Sequence, residues 1–222
     1  MLLYLFGKEG KFFAYFCPMY RTALNASLWQ RIDEWDKWLF IKLNGQWTNP
    51  VFDQVLPYFR NSMFWVPLYT FVLVFMLLNY GKKGLWWSVA FVCTVALTDV
   101  IGARIVKEAF QRLRPCQDPA FFFHVRLLLK QCSGSFSFVS NHAANHFGIA
   151  TFAVLTFKGV FKKWMYLAYL WAFFIGYAQV YVGVHYPLDV AGGALLGMLV
   201  GSLTAWIFHS KWRNFNLDHQ IL

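Results

Sequence analysis

The sequence is poor in charge. Only 14% of its 222 residues are charged, whereas a soluble domain has about a quarter. Hydrophobic residues make up 59% of the chain, and this combination excludes an ordinary soluble globular domain. The sequence also contains no internal repeat, no low-complexity tract and no glycine-rich dinucleotide-binding pattern. Function must therefore depend on a small number of polar residues within an apolar chain.

Acidic residues are especially scarce. The chain has 10 of them and 20 lysines and arginines, so its formal net charge is +10. A charge of this size can indicate nucleic-acid binding, but the sequence has no basic helix and no signature of an RNA-binding sheet. Much of the excess lies in short loops between apolar runs, where it orients membrane proteins. We therefore expect membrane lipids as partners, no nucleic acid and no obligate protein partner.

Long apolar runs are abundant. A membrane-spanning helix needs about 20 mostly apolar residues, and four runs approach this length, while a fifth is shorter and begins with polar residues. The sequence therefore predicts an all-α fold, a polytopic membrane helical bundle with about five transmembrane helices. The five runs cover residues 63–80, 85–106, 143–157, 164–182 and 190–209, of which 143–157 is the shorter one.

Cationic loops fix the orientation expected for this bundle. Lysines and arginines follow the first, third and fifth runs, and five spans place all three positions on the cytoplasmic side. The opposite face then receives residues 112–141, residues 183–188 and everything before residue 63. We predict three regions: N-terminal interfacial helices at 1–62, a transmembrane core at 63–209 and a cytoplasmic tail at 210–222.

The N-terminal region has two features of its own. Residues 28–45 carry apolar side chains at helical spacing and charged ones elsewhere, which predicts an amphipathic helix lying in the membrane interface. Residues 12–28 are apolar but interrupted by Pro18, Arg21 and Asn25, so a sixth span there is left open. No cationic segment precedes the apolar start, and we expect no cleaved signal peptide.

Three sets of polar residues fall on the outer face. In the first, Lys107 lies near the end of the second run and Arg114 follows seven positions later. Such a pair can bind different oxygens of one oxyanion, because arginine offers a planar fork and lysine a point charge. The alternative interpretation is two interfacial cations that contact lipid head groups.

The second set is Ser140, Asn141 and His142, at the start of the third run. Serine and asparagine are preferred helix caps. The free N–H groups of a first helical turn form an anion site, where His142 can donate a proton to a leaving oxygen. The alternative interpretation is that Ser140 and Asn141 only cap the helix and that His142 is a membrane-interface histidine. His146, in the next turn, can be interpreted in the same way.

The third set is His185, Pro187 and Asp189. Pro187 suits the first turn of a helix, so we expect the fifth helix to begin there. A carboxylate four positions after His185 can accept a hydrogen bond from one ring nitrogen and leave the other as a nucleophile. A metal site built from the histidines and Asp189 is a minority interpretation, because Lys107 and Arg114 would lie beside the cation.

These residues occur in three segments, KEAFQRLRP, VSNH and AQVYVGVHYPLD. In this order they resemble the type 2 phosphatidic acid phosphatase superfamily, the membrane lipid phosphatases related to vanadium haloperoxidases. The family pattern is K-x6-R-P, P-S-G-H and S-R-x5-H-x3-D. The resemblance runs from Lys107 to Asp189, and three linked motifs are far more specific than one.

The resemblance implies a mechanism without metal or cofactor. His185 would attack phosphorus to give a phosphohistidine, Asp189 would orient His185, and His142 would protonate the leaving group. Water would then release phosphate. Lys107, Arg114 and Ser140 would bind the phosphate.

The sequence departs from the family pattern at two positions that bear on the phosphate. Asn141 replaces a glycine, and asparagine tolerates the left-handed backbone that we expect there. Gln179 replaces an arginine, and the loss of such a donor costs on the order of 3 to 4 kcal/mol in a transition state. Gln179 could still donate one hydrogen bond, and Arg104 or Arg126 could supply the charge. The alternative is a non-catalytic lipid-phosphate binding or transport protein with a degenerate site.

The sequence therefore predicts an integral membrane lipid phosphatase that hydrolyses a lipid phosphate or polyprenyl diphosphate. Its expected location is a bacterial inner membrane, with the active site facing the periplasm. By resemblance the substrate would be a polyprenyl diphosphate, phosphatidate, phosphatidylglycerol phosphate or a lipid A phosphate, and nothing in the sequence chooses among them. A metal-dependent membrane hydrolase or oxygenase is the further alternative.

Cysteine is rare, with four residues in the chain. Cys116 and Cys132 both lie in the predicted outer loop, where an oxidising compartment would allow them to form a disulfide. The alternatives are two free thiols or zinc ligands with too few companions. Cys17 and Cys93 lie in apolar surroundings and are interpreted as packing residues.

Overall fold

The computed structural model describes residues 27–211, with the side chains of residues 158–162 excepted. Within this part of the chain every regular element is helical, which agrees with the predicted all-α class. Most of the open sixth span, residues 12–26, and most of the predicted tail, residues 212–222, lie outside the described residues, as does Cys17.

The chain divides into two compact units, Met1–Leu39 and Phe40–Leu222. The described part of the first unit is helical from Leu28, where helix α1 (Leu28–Ile41) begins. Its indole side chains at positions 29, 35 and 38 are exposed, and Lys37 Nζ lies 2.8 Å from Asp33 Oδ2 along the helix. The predicted helix is thus present, while its place in a membrane interface and the region boundaries at 62 and 209 stay predictions.

The second unit contains six further α-helices and several short turns of tighter or wider helix. The α-helices are α2 (Pro50–Phe59), α3 (Val66–Val100), α4 (Lys107–Phe110), α5 (Asn141–Phe161), α6 (Leu167–Tyr181) and α7 (Pro187–Lys211). A π-helical turn (Ile101–Val106) joins α3 to α4, and a second one (Lys42–Gln46) follows α1. Three 3-10 turns occupy Ser62–Trp65, Phe122–His124 and Lys162–Tyr166.

Helix α3 contains a sharp break at Gly81, whose backbone has φ +52° and ψ −125°. Glycine is the residue that adopts this conformation without a steric penalty. A Cβ at Gly84 would overlap the carbonyl oxygen of Met76, so the two halves of α3 approach closely at the break. The halves correspond to the predicted runs 63–80 and 85–106, which are therefore two helices joined by a turn.

All five predicted apolar runs are helical in the structure. Two segments, Ser62–Phe110 and Pro187–Lys211, are long and apolar enough to cross a membrane. The first of them holds the break at Gly81 and therefore both of the first two runs. The structure thus agrees with a helical membrane bundle, and the number of crossings stays a prediction.

Helices α5 and α7 lie against each other along a stripe of glycines on α7. A Cβ at Gly193, Gly197 or Gly201 would overlap the backbone carbonyl oxygen of Ser140, Ala144 or Gly148 of α5 and its cap, respectively. Small residues at four-residue spacing allow helix backbones to approach this closely. The start of α5 and the start of α7, which carry the second and third polar sets, are thereby brought together.

An aromatic core packs the inner part of the bundle. Trp87, Phe91, Phe152 and Phe208 belong to one buried cluster from α3, α5 and α7. The indole Nε1 of Trp87 donates to the Thr156 hydroxyl at 3.0 Å, which satisfies the one polar group of that ring. This cluster fixes the second half of α3, and hence Lys107 beyond it, against the helices that carry the histidines.

The long segment between α4 and α5 is fastened to the rest of the second unit at Asn44. Its Nδ2 donates to the carbonyl oxygens of Arg126 and Tyr181, at 2.9 and 2.7 Å. Arg126 in turn pairs with Asp53, with Nη1 and Oδ1 2.7 Å apart. The segment is thus attached at Arg126 to the C-terminal end of α6 and to α2.

Candidate active site

A cavity of about 400 Å³ opens between the end of the α3–α4 segment, the loop that follows it and the starts of α5 and α7. Five of the predicted site residues line it, which brings all three sequence motifs to one place. These are Lys107, Arg114, Asn141, His142 and His185. Ser140, Gln179 and Asp189 lie behind this lining and are fully buried.

Lys107 reaches the cavity from the last helical turn before the loop. Its side chain is buried, with 6% of its surface exposed, and it lines the cavity. Gln111 ends this turn in a left-handed conformation, with φ +45°, so the chain reverses direction immediately afterwards. The reversal directs residues 112–114 back over the cavity.

The guanidinium of Arg114 contacts three residues. Its Nε and Nη2 donate to the carbonyl oxygen and hydroxyl of Ser135, at 2.7 and 2.9 Å. Its Nη1 lies 3.0 Å from the carbonyl oxygen of Val184 and 3.0 Å from Nε2 of His185. Burial lowers the pKa of Arg114 to about 10, so the guanidinium stays charged at neutral pH.

His185 follows α6 in a turn that requires glycine. Gly183 has φ +91°, and a Cβ there would also press against the carbonyl oxygen of Arg126. The N–H groups of Val184 and His185 donate back to the carbonyl oxygen of Gln179, at 3.2 and 3.3 Å. The turn thus holds the His185 ring against the cavity, two residues before α7 begins at Pro187.

The contacts of His185 determine which ring nitrogen carries the proton. Arginine can only donate, so the Nε2 that faces Arg114 Nη1 is the acceptor and Nδ1 carries the hydrogen. Nδ1 lies 3.4 Å from the Ser137 hydroxyl and 3.5 Å from Asp189 Oδ2. Burial lowers the pKa of His185 to about 4, although the Asp189 carboxylate raises it. The ring is therefore neutral at pH 7, with its Nε2 lone pair directed at Arg114 Nη1.

Asp189 is surrounded by donors. Arg112 Nη1 donates to Oδ1 at 2.9 Å, while the Ser137 hydroxyl and the Tyr186 N–H donate to Oδ2 at 2.5 and 2.8 Å. The carboxylate is fully buried, and a buried charge needs such partners. Arg112 and Ser137 contact the predicted site residue Asp189, and sequence reasoning missed both because neither belongs to a spacing pattern.

The two histidines of α5 have different surroundings. His142 lines the cavity, whereas His146 is buried one turn further along the helix. His146 Nδ1 lies 2.7 Å from the carbonyl oxygen of His142, and its Nε2 lies 2.9 Å from the Tyr69 hydroxyl. Both ring nitrogens of His146 are thus engaged, which gives it a structural role. Between residues 27 and 211, no three His, Cys, Asp or Glu side chains are grouped as metal ligands.

Ser140 and Asn141 begin α5, but not as the sequence led us to expect. Asn141 is helical, and Gln111 is the one non-glycine residue of the described chain with positive φ, so the predicted left-handed Asn141 is wrong. Its Nδ2 donates to Asp99 Oδ1 at 2.8 Å. The Ser140 hydroxyl accepts from the N–H of Ala143 at 3.4 Å and caps the helix. That oxygen can still donate its own proton, and its contact with phosphate stays a prediction.

Gln179 occupies the position where the family pattern has arginine. Its side chain is fully buried, and its Oε1 accepts from Nε of Arg60 at 3.2 Å. Arg60 itself lines the cavity. Arg104 and Arg126, the two arginines that the sequence suggested as substitutes, are not among the cavity-lining residues, because Arg104 is exposed and Arg126 is bonded to Asp53 and Asn44.

A disulfide joins Cys116 to Cys132 in the loop above the cavity. The bond lies two residues after Arg114 and three before Ser135, the residue that holds its guanidinium. Gln117 Nε2 adds a hydrogen bond of 2.8 Å to the carbonyl oxygen of Ser133. The disulfide therefore joins the two segments of the loop that carry Arg114 and Ser135, the residue whose oxygens accept hydrogen bonds from Arg114.

A family model described as the PAP2 superfamily matches residues 84–213. The chain belongs to the PAP2 superfamily. A lipid A 4'-phosphatase of Bacteroides thetaiotaomicron is 32% identical over 187 residues, which cover 82% of this chain and 81% of that protein. The family that the three motifs predict is therefore confirmed.

Two solved PAP2 structures are similar to this one. Aquifex aeolicus LpxE has a TM-score of 0.59 at 30% identity, with 75% of this chain and 92% of that chain covered. The PAP2-type phosphatidylglycerolphosphate phosphatase of Bacillus subtilis has a TM-score of 0.59 at 28% identity, with 91% and 96% covered. The chain is accordingly a membrane phosphatase, and a non-catalytic binding or transport protein is not favoured.

Proposed function

We propose that this PAP2 phosphatase hydrolyses a lipid phosphate through a phosphohistidine on His185 Nε2. The observation that carries the proposal is the tautomer of His185. Arg114 Nη1 at 3.0 Å makes Nε2 the acceptor, and the Nδ1 side faces Ser137 and Asp189. The lone pair of this neutral nitrogen is directed at Arg114 Nη1, and a phosphoryl group that accepts from Arg114 in its place would leave the lone pair free to attack phosphorus.

In the first step, Nε2 of His185 forms a bond to phosphorus as the bond to the leaving oxygen breaks. Burial and the neighbouring cations lower the pKa of His142 in the free enzyme, and a bound phosphate dianion would raise it again, so that a protonated His142 on the cavity wall donates a proton to that oxygen and the lipid leaves as an alcohol. The Nδ1 proton of His185 stays on the ring, and the Asp189 carboxylate stabilises the positive charge that the ring acquires. Asp189 acts here as the orienting carboxylate of a catalytic triad does.

In the second step, water attacks the phosphorus of the phosphohistidine. His142, now neutral, accepts a proton from the water, and the electron pair of the broken P–N bond returns to Nε2. Lys107 and Arg114 bind the phosphoryl oxygens throughout, together with the N–H groups of the first turn of α5, which have no intrahelical acceptor. Fixed donors of this kind stabilise the charge of the transition state.

The proposed topology has five spans, with the active site on the non-cytoplasmic face. Its support is the loop charge, because Lys82 and Lys83 lie just beyond the break at Gly81, and the other cationic stretches fall on the same side. The Cys116–Cys132 bond beside the cavity is of a kind that persists in oxidising compartments. We infer a bacterial inner membrane with the site facing the periplasm.

We propose a lipid phosphate monoester as the substrate, and a lipid A phosphate as the first candidate. The support is the relative of Bacteroides thetaiotaomicron, a lipid A 4'-phosphatase that covers 82% of this chain. Other lipid phosphates and diphosphates fit the same cation cluster, so the test uses a panel of them.

Phosphate release from detergent-solubilised lipid phosphates and diphosphates tests the proposal, with and without chelator. The purified protein should release phosphate in chelator, and His185→Ala should abolish release. His124→Ala is the matched control, because His124 is exposed and outside the cavity. An acid-labile, alkali-stable phosphoryl group trapped on wild type and missing from His185→Ala would identify the intermediate. Full activity of His185→Ala would contradict the mechanism.

A further inference from the structure

One cationic side chain that lines the cavity, that of Arg60, has no role in the mechanism proposed above. Arg60 lines the cavity together with Lys107 and Arg114, although it lies far from any of the three motifs in the sequence. It directly follows α2, and its backbone N–H donates to the carbonyl oxygen of Leu56 at 3.1 Å. Its side chain is half-buried.

One polar contact positions the Arg60 side chain. Its Nε donates to Oε1 of Gln179 at 3.2 Å. Gln179 is fully buried, and its Nε2 has no hydrogen-bond partner among the described residues, so the side-chain amide contributes only the acceptor for Arg60 there. A buried amide donor without a partner carries a free-energy cost, which is consistent with selection for the acceptor at this position.

Position 179 is adjacent to the nucleophile. The carbonyl oxygen of Gln179 accepts from the N–H of His185 at 3.3 Å. A guanidinium bound to the Gln179 side chain therefore reaches the cavity beside His185. Arginine has five N–H donors, and the bond to Gln179 uses one of them.

The charges around the cavity favour an anion between Arg60 and Arg114. Burial lowers the pKa of Arg114, and the positive charge of Arg60 lowers it further. Burial lowers the pKa of Arg60 as well. Among the residues that line the cavity, Glu108 is the acid, against the three cations Arg60, Lys107 and Arg114. A bound phosphoryl group would compensate these charges.

We propose that Arg60 is a phosphate-binding residue of this enzyme and that Gln179 is the residue that positions it. The cationic donor that the family pattern carries at position 179 is thus supplied from position 60. The inference rests on the proposed function for the identity of the anion. It explains how the chain remains a phosphatase with glutamine at position 179.

Variants in which Arg60 and Gln179 are replaced, singly and together, test this proposal. Arg60→Gln should lower kcat/KM roughly 100- to 1,000-fold, the effect of removing one transition-state donor. Gln179→Arg alone should also lower it, because two guanidiniums then share one buried site and the acceptor for Arg60 is lost. The double variant Arg60→Gln/Gln179→Arg restores one charge and should recover most of the loss. Arg60→Lys, which keeps the charge without the planar fork, should fall between wild type and Arg60→Gln.

Arg104→Gln is the matched control, because Arg104 is exposed and outside the cavity. It should leave kcat/KM unchanged. Equal activity of Arg60→Gln and Arg104→Gln would overturn the proposal, and so would a double variant no more active than the weaker single variant. A merely structural role for Arg60 predicts that Gln179→Arg cannot rescue Arg60→Gln.

Inorganic phosphate provides a readout that does not depend on turnover. Phosphate should raise the apparent Tm of wild type and of the double variant, and the shift should be lost in Arg60→Gln. If no lipid is hydrolysed but this shift depends on Arg60, the proposed function fails and the role of Arg60 stands. If lipid is hydrolysed and the shift is the same in Arg60→Gln, the function stands and the role of Arg60 is wrong.

Discussion

Arg112 and Asp189 form a partly buried ion pair in which Nη1 and Oδ1 are 2.9 Å apart, although 77 residues separate them in the sequence. The guanidinium also lies 4.2 Å from the ring centroid of Tyr186, which borders His185. Under the proposed mechanism Arg112 would act on His185 through Asp189, the carboxylate that orients it, and Arg112 itself lies outside the cavity lining.

Arg112→Gln should lower kcat with little change in KM, because Arg112 contacts Asp189 and not the phosphate. Hydrogen bonds to charged groups contribute about 1.5 to 3 kcal/mol, which corresponds to roughly 10- to 100-fold in rate. Steady-state kinetics on a lipid phosphate measure the two constants separately. Arg112→Lys should recover part of kcat. A rise in KM at constant kcat would show instead that Arg112 binds substrate.

The pH dependence of kcat/KM should follow the lowered pKa of His185. Burial holds this pKa at about 4, so Nε2 keeps its lone pair from neutral pH down to about that value. Activity should therefore be lost as the pH falls through about 4, and not through the value of about 6.5 that an exposed histidine has. The measurement is kcat/KM of the free enzyme from about pH 3 to about pH 8, a range that extends below the expected pKa.

The substrate phosphate also ionises near pH 6 and has to be separated from the enzyme. Titration of the same lipid micelles by ³¹P NMR gives the substrate pKa directly. The lowered pKa of His185 also predicts that the free energy of unfolding falls as the pH drops from about 6.5 to 4, because in this range the unfolded chain binds a proton at His185 and the folded chain does not. An enzyme ionisation near 6.5 on the acid side would contradict the assignment.

Gly197→Ala should destabilise the protein and lower its activity. A Cβ there would overlap the carbonyl oxygen of Ala144 on α5, so the two helices must separate. Overpacking costs about 1 to 3 kcal/mol, or very roughly 2 to 12 °C in apparent Tm for a chain of this size. Gly45→Ala is the control, since a Cβ at Gly45 would meet nothing within 4 Å. Equal Tm values for the two variants would show that the glycine contact is dispensable.

Loss of the disulfide should weaken phosphate binding more than it slows the chemical step. Cys116→Ser/Cys132→Ser frees the loop that holds Arg114 through Ser135, so KM should rise several-fold while kcat changes less. Closing a loop of this length stabilises by roughly 3 kcal/mol in the chain-entropy model, and the apparent Tm should fall accordingly. Cys93→Ser, which removes an exposed free thiol, should change neither. An unchanged KM in the double variant would refute the role of the loop.

The sequence predicted those parts of the site that lie in local patterns. The spacing from Lys107 to Arg114 and from His185 to Asp189 is set by short stretches of chain, and the start of α7 at Pro187 follows from the proline itself. The five apolar runs predicted the helices for the same reason. Hydrophobic periodicity and turn residues are local signals, and a single sequence contains them.

The remaining residues could not be predicted because the tertiary fold brings them together. Arg60 follows α2, Arg112 lies in the loop after α4 and Ser137 lies near the start of α5, and none of them has a distinctive spacing. Asn141 was misjudged because the family's glycine suggested a left-handed backbone, whereas the chain enters α5 one residue earlier. Gln179 was identified as a departure from the family pattern, but no local signal indicates that its side chain contacts Arg60.

Under the proposed orientation, the redox state of Cys116 and Cys132 would show which way each copy of the protein is inserted in the membrane. Both thiols are reduced while the chain is synthesised, and they can be oxidised only once their loop has reached an oxidising compartment. Under the proposed orientation, a molecule inserted the wrong way round would keep both thiols. Such a molecule would hold Arg114 less firmly and, under the proposed function, would bind lipid phosphates more weakly.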